Sequence, residues 1–208
     1  MITPKRVKKI IADNFSFTHH LDFGCGGSPR DPLVSTKIST VDTYKIDEIN
    51  PSKIINPGEP IPFPDRTFTS FSAYDVIEHL GRNGSKNDFI FYMNELSRVL
   101  VRGGIGVIVF PAYPHKDAFS DPTHLNYATK QTLDFFTAPV GGPYYDAIRC
   151  EYSIIVNQKL RYWKKWVDES ELNGDNSKLS IRRRLSLAKR TFFRFINPGH
   201  LIWVVQKK

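Results

Sequence analysis

The chain has 208 residues, 40% of them hydrophobic and 24% charged, enough to bury one core and typical of a globular protein. No apolar run approaches the roughly 18 residues of a membrane-spanning helix, and two cysteines, Cys25 and Cys150, exclude a disulfide framework and point to a reducing cytoplasm. The net charge of +8 is uneven: residues 159 to 208 hold 13 Lys/Arg against 4 Asp/Glu, so any anionic partner meets the C-terminal quarter first.

In chain order, the basic start "MITPKRVKKIIADNF" lacks the apolar core of a signal peptide. Short β-branched runs then predict strands at 18–23, 38–42, 53–56, 67–74 and 104–110. Between the last two, Phe89, Met93, Leu96 and Leu100 have amphipathic helical spacing, closed by Gly103 and Gly104 as a C-terminal stop. Strand, crossover, strand in this order predicts an α/β, Rossmann-like, doubly wound and mostly parallel sheet. "EYSIIVNQKLRYW" and "HLIWVVQKK" add two more strand-like runs around a basic insertion. With no repeat and no dividing linker, residues 1–208 read as a single domain: a cofactor-binding core at 15–112, then acceptor-side and C-terminal elements at 113–208.

The first run ends in "LDFGCGGSP". A glycine-rich turn after a strand presents backbone N–H groups to a ligand without Cβ obstruction. Asp42 ends the next strand, where a carboxylate can accept two hydrogen bonds from a ribose diol. Turn plus acid reads as an adenosine-type cofactor site. A dinucleotide fits less well, because Pro29 stands where GxGxxG requires its third glycine.

For the chemistry, His79, His115, Asp121 and His124 are candidate bases. An imidazole paired with Asp121 would be oriented and made more basic. The alternative is structural: a packed His79, and "DPTH" as an Asp-Pro turn. Tyr113 and Phe119 stand either at the pocket mouth, where they could stack on a sugar ring, or in the core. No zinc-type CxxC pattern occurs, and a metal is not expected. Residues 178–196 carry seven Lys/Arg and no acid, with apolar residues at Ile181, Leu185, Ala188, Phe192 and Phe195. This predicts a basic amphipathic helix over about 180–196, suited to an anionic membrane surface at the inner face of the membrane, to a phosphate-rich acceptor or RNA, or simply to packing on the sheet.

"LDFGCGGSP", "VD" at 41–42, "PIPFPDRTFTSFSAYDVIEHL" at 60–80 and "MNELSRVLVRGGIGVIVFP" at 93–111 resemble, in order, successive motifs of class I S-adenosylmethionine-dependent methyltransferases. The likeness covers about residues 18–135. "DPTHLNYATKQTLDFF" at 121–136 is similar to a segment of a bacterial subgroup associated with cell-surface polysaccharide and glycan biosynthesis. The resemblance implies S-adenosylmethionine as cofactor and O-methylation of a sugar or glycan. The alternatives are a methyltransferase acting on RNA or another phosphate-rich polymer, and a non-catalytic binding protein of the same fold. It places Asp22 and the Gly24–Cys25–Gly26 backbone at the methionine part of the cofactor, Asp42 at the ribose, Asn56 at the adenine and Asp75 beside the sulfonium. Asp75 could equally cap the helix that follows. His79, Asp121 and His124 are the catalytic candidates. "HLIWVVQKK" is similar to the family's antiparallel last strand, which makes the basic helix an insertion before it. The short stretch from Gly27 to Asp42 implies a truncated first crossover helix.

Overall fold

The computed structural model describes residues 9, 11, 16–45, 51–83, 86–138, 141–143, 145–160 and 199–208. The basic segment 178–196 lies outside them. No helix among the described residues is long and apolar enough to cross a membrane.

Seven strands form one sheet: β1 (His19–Phe23), β2 (Lys37–Asp42), β3 (Lys53–Ile54), β4 (Phe68–Tyr74), β7 (Leu100–Pro111), β8 (Tyr152–Leu160) and β9 (His200–Lys207). Their order is β3-β2-β1-β4-β7-β9-β8. β1 runs parallel to β2 and β4, β2 to β3, and β4 to β7. β9 is antiparallel to both β7 and β8. The mostly parallel doubly wound sheet and its antiparallel strand are those the sequence predicts. A two-residue hairpin, β5 (Arg82–Asn83) with β6 (Lys86–Asn87), leads into α1 (Asp88–Val99).

Two expectations shift. The helix stops at Val99, and Gly103 and Gly104, expected as its terminator, lie inside β7. The apolar residues on either side of the pair let the strand take over directly, with a register shift in the pairing of β4 with β7. β3 is also shorter than expected, covering two of the four residues. The truncated crossover is present as expected: residues 24–36 connect β1 to β2 with turns and no helix.

Alternation in the strands separates two apolar layers. Leu21, Phe71, Ile108, Phe110, Leu201 and Trp203 pack with Phe89, Met93 and Leu96 of α1 on one face. Ile105, Val107, Val109, Ile202 and Val204 pack with Phe17 and Leu33 on the other. Gly106 sits under the Phe71 ring, where an added Cβ would stand 2.2 Å from Cζ. Arg98 of α1 ties down the loop before β4, donating to Glu95, Asp65 and the carbonyls of Ile61 and Phe63 at 2.7–2.9 Å. A guanidinium suits this task because its planar donors can serve several acceptors at once.

Beneath the helix-free β1–β2 connection lies a buried polar network. His20 pairs through Nδ1 with Ser70 and through Nε2 with Ser72, at 2.8 and 2.9 Å. Ser72 donates to Asp22 at 2.8 Å, and Asp31 accepts from the amides of Leu33, Val34 and Ser35. These bonds satisfy polar groups that would be costly to bury unpaired. They stand where a crossover helix would otherwise pack.

Candidate functional site

The strand order reverses between β1 and β4, and in such sheets ligands bind outside the carboxyl ends of the strands at that point. A cleft of about 600 Å³ opens there, within the roughly 300–1,000 Å³ of small-molecule sites. Phe23, Gly24 and Gly26 line it from the end of β1, Val41 and Asp42 from β2, and Tyr74 and Asp75 from β4. His79, Thr123, Asp88 and Tyr92 complete other parts of the wall.

The turn is built around its glycines. Gly24 has φ +73°, and its amide donates to the Val41 carbonyl at 2.8 Å, drawing the turn onto β2. A Cβ there would stand 2.1 Å from Val76 Cγ2. Gly26 has φ +53°, and an added Cβ would meet nothing within 4 Å, so it faces open space at the cleft. Its amide donates to Asp42 Oδ2 at 2.8 Å, while the Thr43 amide donates to Oδ1 at 2.7 Å.

The other cofactor candidates are placed differently. Asp22 is fully buried beneath the turn, accepting from Ser72 and from the Arg30 amide at 2.8 Å, and does not line the cleft. Burial pushes its carboxyl up to about 6. Cys25 is also buried, with its thiol pushed up to about 11 by burial, the charges of Asp22 and Asp42 adding to the effect. Asn56 is exposed and donates to Glu59 at 2.9 Å, while its neighbours Ile55 and Pro57 line the cleft. Asp75 lines the cleft at φ +53°, with His200 Nε2 3.4 Å from its Oδ1. The helical turn after it, Ile77–His79, is capped by no side chain.

The catalytic candidates do converge. The loop 121–127 is clamped to the turn after β4: Leu125 and Asn126 amides donate to the Glu78 carbonyl at 2.6 and 3.1 Å, and Asn126 Nδ2 donates to the carbonyls of Ile77 and Leu80 at 2.8 and 2.5 Å. This brings His79 and His124 edge to face, with ring centroids 4.7 Å apart. Asp121 reaches His79 through Thr123: the Thr123 hydroxyl donates to Asp121 Oδ1 at 2.6 Å and pairs with His79 Nδ1 at 3.0 Å. Burial and then the neighbouring His124 hold His79 below the usual histidine range. Asp121 also closes its own turn by accepting the Thr123 amide at 2.8 Å. His115 bonds the Asp117 amide and does not line the cleft. Tyr113 and Phe119 are half-exposed: Phe119 stacks on Tyr127 of this loop, and Tyr113 meets Phe119 edge to face.

Sequence reasoning missed Arg30, whose guanidinium lies 5.5 Å over the Tyr74 ring at the cleft wall. It also passed over Glu78, between the apolar Ile77 and the candidate His79. A lone acid in an apolar turn was the available signal.

No family model and no curated protein matches the chain. Solved structures do match. An S-adenosylmethionine-dependent methyltransferase from Mesorhizobium loti has a TM-score of 0.54 at 10% identity, over 97% of this chain and 96% of that one. The Haemonchus contortus phosphoethanolamine N-methyltransferase 2, in complex with S-adenosyl-L-methionine, scores 0.50 at 11% identity, over 98% of this chain and 52% of that one. The fold is that of the class I methyltransferases. The [4+2]-cyclase SpnF, at TM-score 0.51 and 16% identity over 97% of this chain and 80% of that one, shares the same fold. A methyltransferase fold therefore does not itself fix the reaction; the residues of the site do.

Proposed function

We propose that the chain is an S-adenosylmethionine-dependent methyltransferase that O-methylates a sugar or glycan. The observation that carries the cofactor half is the cleft end of β2: Asp42, oriented by the Gly26 and Thr43 amides, beside open space over Gly26. A ribose diol suits that carboxylate, the apolar Ile55 and Pro57 suit an adenine, and Arg30 offers a cation to the methionine carboxylate. The bound structure of the fold neighbour supports the same cofactor.

In the reaction, the acceptor oxygen attacks the methyl carbon, the carbon–sulfur bond breaks with its electron pair on sulfur, and S-adenosylhomocysteine leaves. Holding the two reactants in line supplies up to about 7–11 kcal/mol. The hydroxyl proton goes to a base, worth roughly 10²–10⁴-fold. His79 is that base: its low affinity for protons keeps it neutral near pH 7, and Asp121 fixes its ring through Thr123. The half-exposed Tyr113, Phe119 and Tyr127 beside the DPTH loop support a sugar acceptor, which stacks its apolar face on such rings.

Calorimetric titration with S-adenosylhomocysteine tests the cofactor half. Binding is expected, with a drop of at least tenfold in Asp42→Ala; no heat with the wild type removes the reading. Transfer of radiolabel from the methyl donor to nucleotide sugars and lipid-linked glycans tests the acceptor half. Label appearing in RNA instead would replace glycan by nucleic acid.

A further inference from the structure

Glu78 plays no part in that chemistry, yet it is a buried acid next to the cleft residue His79. It is 2% exposed, and neither of its carboxylate oxygens has a hydrogen-bond partner of good geometry. An ionised carboxylate buried without partners costs several kcal/mol, a cost that either protonation or a bound cation removes.

Its neighbours are two imidazoles. The ligand-capable atoms of Glu78, His79 and His124 all lie within 4.8 Å of one another. We propose that these three side chains hold a divalent first-row transition metal ion. Ligands about 2.0–2.2 Å from one ion stand roughly 3.4 Å apart, so atoms now within 4.8 Å of one another need close by at most about 1.4 Å.

The surroundings of the histidines support this. His124 Nδ1 faces the Ala118 carbonyl at 2.9 Å, which can only accept, so Nδ1 carries the proton and Nε2 the lone pair. The Thr123 hydroxyl gives its hydrogen to Asp121, so His79 Nδ1 must donate to it, and Nε2 again keeps the lone pair. Metal-binding histidines are oriented in this way, one ring nitrogen anchored to a carbonyl or to a carboxylate relay while the other is left for the ion. Two imidazoles and a carboxylate favour zinc, iron or manganese over magnesium or calcium. The four bonds that clamp loop 121–127 to the turn at Ile77–His79 hold the donor set together without the ion. His79 and Thr123 line the cleft, so the ion would border it.

Its use rests on the methyltransferase reading. The ion binds the acceptor hydroxyl oxygen and acidifies it, the proton passes to water, and the metal-bound oxygen attacks the methyl carbon as the pair leaves with sulfur. With the ion bound, His79 is a ligand and cannot take the proton; it is the base only in the metal-free site.

The untagged chain, treated with a chelator and dialysed, is titrated with Zn²⁺ by calorimetry, and with Co²⁺ while its visible absorption is followed. One equivalent is expected, with affinity at least tenfold weaker in Glu78→Gln and His124→Ala. Glu78→Gln, which keeps the shape of the side chain, should keep the wild-type thermal transition without metal and bind S-adenosylhomocysteine within threefold of wild type. Absence of zinc binding, or unchanged binding in both variants, overturns the metal site and leaves the cofactor reading standing if S-adenosylhomocysteine still binds. Zinc binding without S-adenosylhomocysteine binding does the reverse.

Discussion

Replacing Gly24 by alanine should separate the two demands that the turn makes on its residues. At φ +73° an L residue is strained by about 1–2 kcal/mol. The new methyl also stands 2.1 Å from Val76 Cγ2 and 3.1 Å from Cγ1, an overlap that costs a further 1–3 kcal/mol or so if the side chain cannot retreat. The sum, about 2–5 kcal/mol, is a large part of a typical stability of about 5–15 kcal/mol. Gly26→Ala carries only the backbone part, about 1–2 kcal/mol, because its methyl enters open space. That methyl projects at the cleft, so the Gly26 variant should lose ligand affinity out of proportion to stability. Urea denaturation of both variants, and of Val76→Ala and the Gly24→Ala/Val76→Ala pair, measures these terms. Removing both Val76 γ-carbons leaves the nearest named contact at 3.2 Å, so the double variant should recover most of the packing cost, a coupling of about 1–3 kcal/mol. Additive single and double variants, or a Gly24→Ala protein within about 0.5 kcal/mol of wild type, would refute the proposed close approach of turn and strand end.

Two other perturbations test the sheet. Gly106→Ala has no backbone penalty but drives a methyl to 2.2–3.0 Å from the fully buried Phe71 ring, and should cost about 1–3 kcal/mol in denaturation with S-adenosylhomocysteine affinity nearly unchanged. The His20–Asp22 network gives a pH test. Burial holds His20 down to about 4 from 6.5, so its contribution is complete above pH 6.5 and lost as pH falls towards 4. Asp22 is raised from 3.8 to about 6, so its contribution is present below pH 3.8 and lost as pH rises through 6. Each is worth about 3 kcal/mol, and between pH 4 and 6 they oppose one another. In His20→Gln, stability relative to wild type should rise as pH falls from 6.5 to 4; a pH-independent difference would show that His20 is not held neutral.

The strands were legible because β-branched runs at period two have few other uses, and β4 and α1 appear within a residue or so of their expected starts. Gly103 and Gly104 misled because a glycine pair reads as a helix stop, whereas here it lies where a strand begins directly after Val99. At the site, Asp42 could be placed from its position at a strand end. Asp22 could not, since nothing local distinguishes an acid that faces a ligand from one that holds the turn from below. The Glu78–His79–His124 cluster depends on a contact across about 45 residues of chain, made by the hydrogen bonds of Asn126, and no spacing rule in the sequence encodes it.

The bonds at Asp42 have one more consequence. A carboxylate has about four acceptor sites. The turn occupies one on Oδ2 through Gly26 and one on Oδ1 through Thr43, with the Thr43 hydroxyl a distant 3.4 Å from the same oxygen. What remains is one lone pair on each oxygen, side by side, the acceptor pattern of a vicinal diol. The protein's own amides thus set the valency of the site before any ligand arrives. A 2′-deoxy nucleoside can fill only half of it and leaves one oxygen to water.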